Sequence, residues 1–215
     1  MKIKSRNSIY QNFRMNNCEE FNCPSLEVPI GEVKEALRCI LYTILFNRAI
    51  GGSRPIEPIT MKAPLFEVGY MKIESPEVDA QVEDRVKAFS EAAERSKDTQ
   101  FTLVVGFYSE IPKDPGLWQF FSSKKADKIY FEKWKIGITV TPQTRNDDEG
   151  ARMSAQQVRS IMWFILRKVA EKMDHLPMTS NTAIYPFEIT FEKPKDTAWS
   201  PRNFASSIKN IPYIT

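Results

Sequence analysis

The sequence predicts an α+β protein in which helices pack on one side of an antiparallel β-sheet. Three segments carry apolar residues at helical spacing, and the segments between and after them carry apolar residues at every second position or in a short continuous run. The predicted order is helix, strand pair, helix, strand, strand, helix, strand and tail, with no internal repeat. Helices that back an antiparallel sheet in this way are typical of the α+β class.

The composition is that of an ordinary globular protein with one core. The chain has 215 residues, of which 42% are apolar and 27% are charged, and this length suits one sizeable core better than two. The net charge of +3 is spread along the chain, which disfavours a dedicated nucleic-acid-binding protein. No apolar run approaches the length needed to cross a bilayer, so we expect a soluble protein with no transmembrane segment.

Cysteine and histidine usage gives no sign of a metal site. Cys18, Cys23 and Cys39 are an odd number of cysteines without a CxxC pair, and we see no secretory signal, so reduced thiols in a cytosolic or nuclear setting are expected. The one histidine, His175, is far from these cysteines in the sequence, whereas a structural zinc ion needs four ligands. We expect no metal and no cofactor.

Residues 1–22 begin with a basic, polar stretch, and we predict that they form a flexible tail because chain ends are poorly ordered unless something holds them. An organelle presequence is the alternative, since no acidic residue comes before Glu19. The remainder, residues 23–215, is predicted to be a single domain.

Two amphipathic helices are predicted in the first half of the chain. The first runs from Pro29 to about Ile50 and has a wide apolar stripe, so we expect it to lie centrally against the sheet. Residues 53–63 follow as a proline-rich loop. The second helix runs from Pro76 to about Ser96, with Ser75 as a plausible N-cap and proline at the favoured first position.

Four segments have the patterns of strands. Leu65–Ile73 alternates well enough to be one strand or a bent strand pair, and Phe101–Tyr108 is so continuously apolar that burial on both faces is expected. Ile129–Thr141 is a long strand whose alternation changes phase, which predicts a bulge near Glu132–Lys133. Tyr185–Phe191 is predicted to be a half-exposed antiparallel strand.

The third predicted helix is apolar over more than half of its circumference. Ser154 and Gln157 have the spacing of a capping box at its start, and Pro177 closes it. Trp163 and Phe164 widen the apolar arc beyond what one sheet face requires. Such an arc indicates either deep burial or a subunit interface, and the sequence leaves both interpretations open.

No catalytic signature is present. The chain lacks a glycine-rich phosphate loop and the GxSxG nucleophile motif. His175 lies at a predicted helix end, where a capping or surface role is expected rather than that of a general base. Asp147 and Asp148 are expected to be a solvated charge run rather than a metal clamp. By elimination, the protein is predicted to work by binding.

The most distinctive stretch lies between the two central strands. Gly116–Phe121 places four large apolar side chains in six residues, inside a segment that otherwise has the composition of a loop. Because loops normally lie on the surface, these side chains either fold back onto the core or are held out for a partner.

An ordered set of segments resembles the autophagy-related protein 101 family. The set covers roughly residues 23–192 in the order and spacing of the family. Its members are Leu26-Glu27-Val28, Glu32-Val33-Lys34-Glu35-Ala36-Leu37, Leu41-Tyr42-Thr43-Ile44-Leu45-Phe46-Asn47-Arg48, Trp118-x-Phe120, Trp134-Lys135-Ile136, His175-Leu176-Pro177 and Phe187-Glu188-Ile189-Thr190-Phe191.

The resemblance implies a HORMA fold over residues 23–215, with three helices packed on an antiparallel sheet and a C-terminal segment laid along it. It implies a protein that is not an enzyme and has no cofactor. Members of the family are adaptors of autophagy initiation: they form a heterodimer with, and stabilise, a second HORMA-domain scaffold of the kinase complex, autophagy-related protein 13. The resemblance also implies a cytoplasmic protein that is recruited to the site of autophagosome formation.

In this family the aromatic loop is an exposed finger that recruits downstream autophagy factors, and the corresponding residues here are Trp118 and Phe120. Gln119 stands where the family has a proline, and Phe121 adds another aromatic side chain. Two alternatives to an autophagy adaptor are a HORMA protein of the checkpoint or DNA-repair type that closes over a peptide, and a small α+β enzyme with an unrecognised site.

Overall fold

The protein has an α+β architecture with three helices and two sheets, as the sequence predicts. The structure, a computed structural model, describes residues 18–49, 57–96, 99–111, 127–142, 148–177 and 184–192. In chain order the elements are β1 Glu19–Asn22, β2 Leu26–Pro29, α1 Val33–Ala49, β3 Pro58–Ala63, a short 3-10 helix Pro64–Phe66, β4 Val68–Ile73, α2 Pro76–Arg95, β5 Gln100–Ile111, β6 Asp127–Thr141, α3 Asp148–Glu171 and β7 Phe187–Glu192.

The main sheet is organised around β6. On one side β5 lies antiparallel to β6, and β7 lies antiparallel to β5. On the other side β1 and then β2 pair with successive parts of β6, both in the parallel direction. The sheet thus has the antiparallel centre that the sequence predicts, with two short parallel strands added at one side. The two parallel strands have four residues each, which is too short for a periodic pattern to reveal them.

The position of β1 corrects the predicted boundary of the N-terminal tail. Glu19–Asn22 is a strand of the main sheet, so a tail cannot extend to residue 22. Phe21 provides the physical reason: it is 4% exposed and stacks on Trp134 with ring centroids 4.3 Å apart. The predicted tail upstream of Cys18 and the predicted C-terminal segment beyond Glu192 lie outside the described residues.

The second sheet is a hairpin that the sequence only partly predicts. β3 and β4 pair in an antiparallel register from Pro58 opposite Ile73 to Ala63 opposite Val68. The prediction of a proline-rich loop over residues 53–63 is therefore wrong for its second half, where a strand with a single buried side chain resembles a loop. The predicted strand pair at Leu65–Ile73 is a turn of 3-10 helix followed by β4.

Helix α1 forms the centre of the fold. It contacts β2, β4, α2 and α3, and its side chains are buried around most of its circumference, as expected for a core helix. Its buried apolar residues are Val33, Ala36, Leu37, Cys39, Ile40, Leu41, Tyr42, Ile44 and Leu45. The prediction that this helix is central is confirmed.

Helix α2 begins as predicted. The Ser75 hydroxyl accepts a hydrogen bond from the N–H of Val78, and Pro76 occupies the first turn. The helix buries the predicted residues Val78, Val82, Val86, Phe89 and Ala93.

Strand β5 is buried on one face only. Phe101, Leu103, Val105 and Phe107 point into the core, whereas Thr102, Val104 and Tyr108 on the other face are half-buried. The prediction of burial on both faces is wrong because the helices cover one side of the sheet.

A bulge in β6 turns a charged residue into the core. Phe107 pairs with Glu132 but Tyr108 pairs with Tyr130, so Phe131 has no residue opposite it. Both Phe131 and Glu132 are buried as a result, which confirms the predicted bulge in this region. The bulge explains how a strand with regular alternation further along can present a carboxylate to the interior.

Glu132 is the centre of a buried polar cluster. Arg48 from the last turn of α1 donates from Nε to Glu132 Oε1 at 2.7 Å, and its Nη2 lies 2.6 Å from Oε2 at an angle that makes an ion pair rather than a hydrogen bond. The indole N–H of Trp134 donates to Oε1, and His175 Nε2 lies 2.6 Å from Oε2.

The cluster corrects the prediction for His175. Its side chain is 13% exposed and those of Arg48 and Glu132 are 1% and 0% exposed, so His175 is neither a helix cap nor a surface residue. His175 lies in the segment that follows α3, and its contact with Glu132 connects this segment to β6.

We predict that Glu132→Ala lowers the free energy of unfolding by about 3–5 kcal/mol, because it leaves the buried Arg48 guanidinium without its partner. Urea unfolding followed by circular dichroism measures this loss. Glu20→Ala is the matched control: it breaks an ion pair with Lys135 in which the side chains are 28% and 42% exposed, and we expect a loss below about 1 kcal/mol. Equal losses for the two variants would contradict the account.

Candidate partner-binding surface

Helix α3 is anchored to the fold through one narrow face. Val158, Ile161 and Ile165 are fully buried, and the helix packs against α1, β2 and the 3-10 helix. The apolar arc that the sequence predicts is wider than this face. Part of it therefore has no covering element among the described residues.

Polar contacts fix the first half of α3. Ser154 Oγ lies 2.9 Å from a carboxylate oxygen of Glu32, Gln157 Oε1 accepts a hydrogen bond from the N–H of Glu27 at 2.6 Å, and Arg159 Nη1 donates to the carbonyl of Phe66 at 3.0 Å. The predicted capping box is wrong because α3 begins at Asp148. Ser154 and Gln157 are instead interior positions of the helix that hold it to the chain around β2.

The far side of α3 exposes large apolar side chains. Trp163 is 72% exposed, Leu166 is 39% exposed, and Met173 just beyond the helix end is 57% exposed. Trp163 and Leu166 are three positions apart and so lie on the same side of the helix. We call Trp163 and Leu166 the α3 surface. Of the two interpretations that the sequence leaves open, deep burial is excluded for Trp163.

A neighbouring turn adds one apolar residue beside the α3 surface. Leu65 in the 3-10 helix is 50% exposed, while the adjacent Phe66 is fully buried. The bond from Arg159 to the Phe66 carbonyl places this turn beside α3, one helical turn before Trp163. Glu67 then adopts a left-handed conformation, with φ of 52° and ψ of 38°, which turns the chain into β4.

The described residues offer little for catalysis or for metal binding. In these parts of the chain no group of three or more His, Cys, Asp or Glu side chains could hold a metal ion. Cys18, Cys23 and Cys39 are free thiols, and burial raises the pKa of both Cys23 and Cys39 to about 12. Thiols with such a pKa carry almost no thiolate at neutral pH and are poor nucleophiles.

A cleft between α1 and α2 is small and its main charges are paired. It has a volume of about 260 Å³ and is lined by Lys34, Arg38, Glu83, Asp84, Val86 and Lys87. Arg38 and Glu83 form a two-pronged contact at 2.8 and 2.6 Å across it. None of the helices in the described residues is long and apolar enough to span a membrane.

The two residues of the predicted finger, Trp118 and Phe120, lie outside the described residues, as do Asp147 and the glycines at 51 and 52. The strands on either side of the finger segment are described. β5 and β6 remain paired as far as Ile111 opposite Asp127, so an antiparallel hairpin leads into the segment and out of it. The exposure of Trp118 and Phe120 stays a prediction.

We predict that Trp163→Ala changes the free energy of unfolding of the isolated chain by less than about 0.5 kcal/mol, because the side chain is mostly in water. Ile161→Ala, two residues earlier and fully buried, should cost about 2–5 kcal/mol. Urea unfolding of both variants tests this. A loss above 2 kcal/mol for Trp163→Ala would mean that this side chain is part of the core.

Comparisons with known proteins place the chain in a family. Residues 25–183 match the family model described as autophagy-related protein 101. The chain is similar to autophagy-related protein 101 of Arabidopsis thaliana, with 28% identity over 204 residues that cover 85% of this chain and 91% of that protein. The α+β arrangement of three helices and a mixed sheet is consistent with the HORMA-type fold that the resemblance implies. The chain thus belongs to the autophagy-related protein 101 family.

Proposed function

We propose that this chain is a non-catalytic adaptor subunit of the autophagy-initiation kinase complex. In this proposal the HORMA domain predicted at residues 23–215, extended to include β1 at Glu19–Asn22, forms a heterodimer with a second HORMA-domain scaffold, autophagy-related protein 13, and stabilises it. The protein acts in the cytoplasm and at the site of autophagosome formation. Family membership supports a role in autophagy, and the structure supports a protein that works through a surface.

The observation that carries the pairing is the exposure of Trp163 and Leu166 on a firmly anchored helix. Tryptophan is among the residues most enriched at binding hot spots. Monomeric proteins seldom expose neighbouring large apolar side chains without a use for them. Since Val158, Ile161 and Ile165 already hold α3 to the fold, Trp163 and Leu166 are free to contact another subunit.

The non-catalytic part of the proposal rests on the chemistry of the described residues. The buried polar cluster around Glu132 lies in the core, where the carboxylate is paired with Arg48 and contacts His175. The cleft between α1 and α2 is small, and its central ion pair is satisfied. These features support binding rather than turnover as the activity of the described parts of the chain.

We predict that Trp163→Ala weakens binding to the HORMA domain of the scaffold by roughly 30-fold, the effect of losing about 2 kcal/mol at a hot spot. Isothermal titration calorimetry of the purified pair measures it. Met71→Ala is the control, because the exposed fraction of Met71, 37%, is similar to the 39% of Leu166 but Met71 lies on β4 and not on α3. Its effect should be below about twofold. Similar affinities for both variants would place the interface elsewhere.

The second part of the proposal concerns the finger. We predict that Trp118→Ala with Phe120→Ala leaves scaffold binding and thermal stability unchanged while downstream autophagy factors are lost, because an exposed aromatic finger contributes to recruitment and not to the core. Purifying tagged chains from cells that lack the natural copy shows which partners are bound, and thermal unfolding of the purified chains measures their stability. Unfolding of the double variant would return these side chains to the core, and normal recruitment would remove the finger's role.

A further inference from the structure

The middle of α3 carries basic residues and no acidic ones. From Gly150 to Ala170 the sequence contains no Asp or Glu, but it contains Arg152, Arg159, Arg167 and Lys168. At about 100° per residue, the three arginines fall within roughly 40° of Trp163 around the helix. Arg152 and Arg159 are exposed, and neither forms an ion pair with another described residue.

The nearest carboxylate on the helix leaves this charge largely uncompensated. Glu171 contacts Lys168 at 2.8 Å and Arg167 at 3.7 Å. Lys168 has the shorter contact with it, and the Arg167 side chain remains 63% exposed. Trp163 therefore lies between two arginines, four residues before and four residues after it. Arg159 is exposed and donates one hydrogen bond to the Phe66 carbonyl; the Arg167 side chain is 63% exposed.

This arrangement opposes pairing of two identical chains. In a two-fold symmetric pair, the same surface of each copy meets itself. If two α3 helices cross antiparallel at Trp163, the residue four positions before Trp163 in one copy meets the residue four positions after it in the other. Arg159 would then face Arg167 twice, and such like-charge contacts disfavour a wrong partner.

A partner helix with carboxylates at those two positions would fit the same surface. We propose that the α3 surface receives an acidic helix face with an apolar centre from a different subunit, and that Arg159 and Arg167 exclude a second copy of this chain. The inference rests on the proposed pairing function and deepens it, because it states the chemistry of the partner's face and the reason that the pair is mixed.

The composition of the surface favours a protein over a membrane as its occupant. Trp, Met and Arg are enriched at protein interfaces, whereas Lys is depleted there, and three of the four basic residues in this stretch are arginines. An interfacial membrane helix inserts its main apolar face into the lipid. The main apolar face of α3, which carries Val158, Ile161 and Ile165, is fully buried in the protein.

Arg167→Glu tests whether positive charge on the α3 surface excludes a second copy of this chain. The substitution leaves the hydrogen bond from Arg159 to the Phe66 carbonyl intact. In a symmetric pair it replaces two Arg–Arg contacts by two Arg–Glu contacts, so we expect self-association of the full chain at least tenfold tighter than that of the natural sequence. Sedimentation equilibrium measures it. Adding Trp163→Ala, or Arg159→Glu to restore like charges as Glu–Glu, should return the variant to the natural self-association. Self-association unchanged by Arg167→Glu would overturn the exclusion.

The second measurement uses the HORMA domain of the scaffold as the probe. Arg167→Glu should weaken its binding at least tenfold, and the loss should shrink at high salt. Arg85→Glu, on an exposed position of α2, is the matched control and should change binding less than twofold. If the natural chain binds the scaffold but Arg167→Glu and Arg85→Glu act alike, the charge inference fails while the proposed function stands.

Two further outcomes are decisive. If the natural chain binds no HORMA domain while Arg167→Glu still self-associates through Trp163, the proposed function fails and the charge rule for this surface stands. Vesicles of phosphatidylcholine with phosphatidylserine test the lipid alternative. Sedimentation of the natural chain with them, lost in both Arg167→Glu and Trp163→Ala, would overturn the assignment of a protein partner.

Discussion

A carboxylate that is fully buried holds three parts of this fold together. Burying Glu132 is costly unless its charge is paired and its oxygens are hydrogen-bonded, and the partners come from separate places: Arg48 from α1, Trp134 from β6 itself, and His175 from the connection that follows α3. Phe21 of β1 stacks on Trp134 and lies edge-on to His175. Moving any one partner away would leave the buried charge of Glu132 less completely paired, which is costly. The elements that carry these partners are therefore fixed relative to one another.

This constraint has a consequence for α3. Its first half is held by Ser154, Gln157 and Arg159, and the chain after its end is held by His175. A helix fixed near both ends presents Trp163 in one position, and a preorganised side chain loses little conformational freedom when a partner binds. The buried cluster and the exposed surface are therefore parts of one arrangement, in which the core determines what the surface presents.

Much of this architecture could be predicted from the sequence, and the failures have physical causes. Helices α1 and α2 and the buried face of β6 follow from periodicity, and the bulge follows from a change of phase in β6. Short strands such as β1 cannot be predicted in this way, because their partners are distant in the chain. The role of His175 depends on the bulge that turns Glu132 inward. The sequence does indicate that the apolar arc of α3 is wider than one sheet face requires, but only tertiary packing shows that Trp163 is the side chain left exposed. The exposure of Trp118 and Phe120 stays a prediction.

We expect a partner subunit to bind at the exposed side of α3. Hydrogen–deuterium exchange of the full chain, alone and with the HORMA domain of the scaffold, tests it most directly. We predict that amide exchange slows by at least tenfold over residues 156–173 when the partner is added, with little change in α2. Unchanged exchange in α3, together with protection at another element such as the β7 edge, would contradict the account.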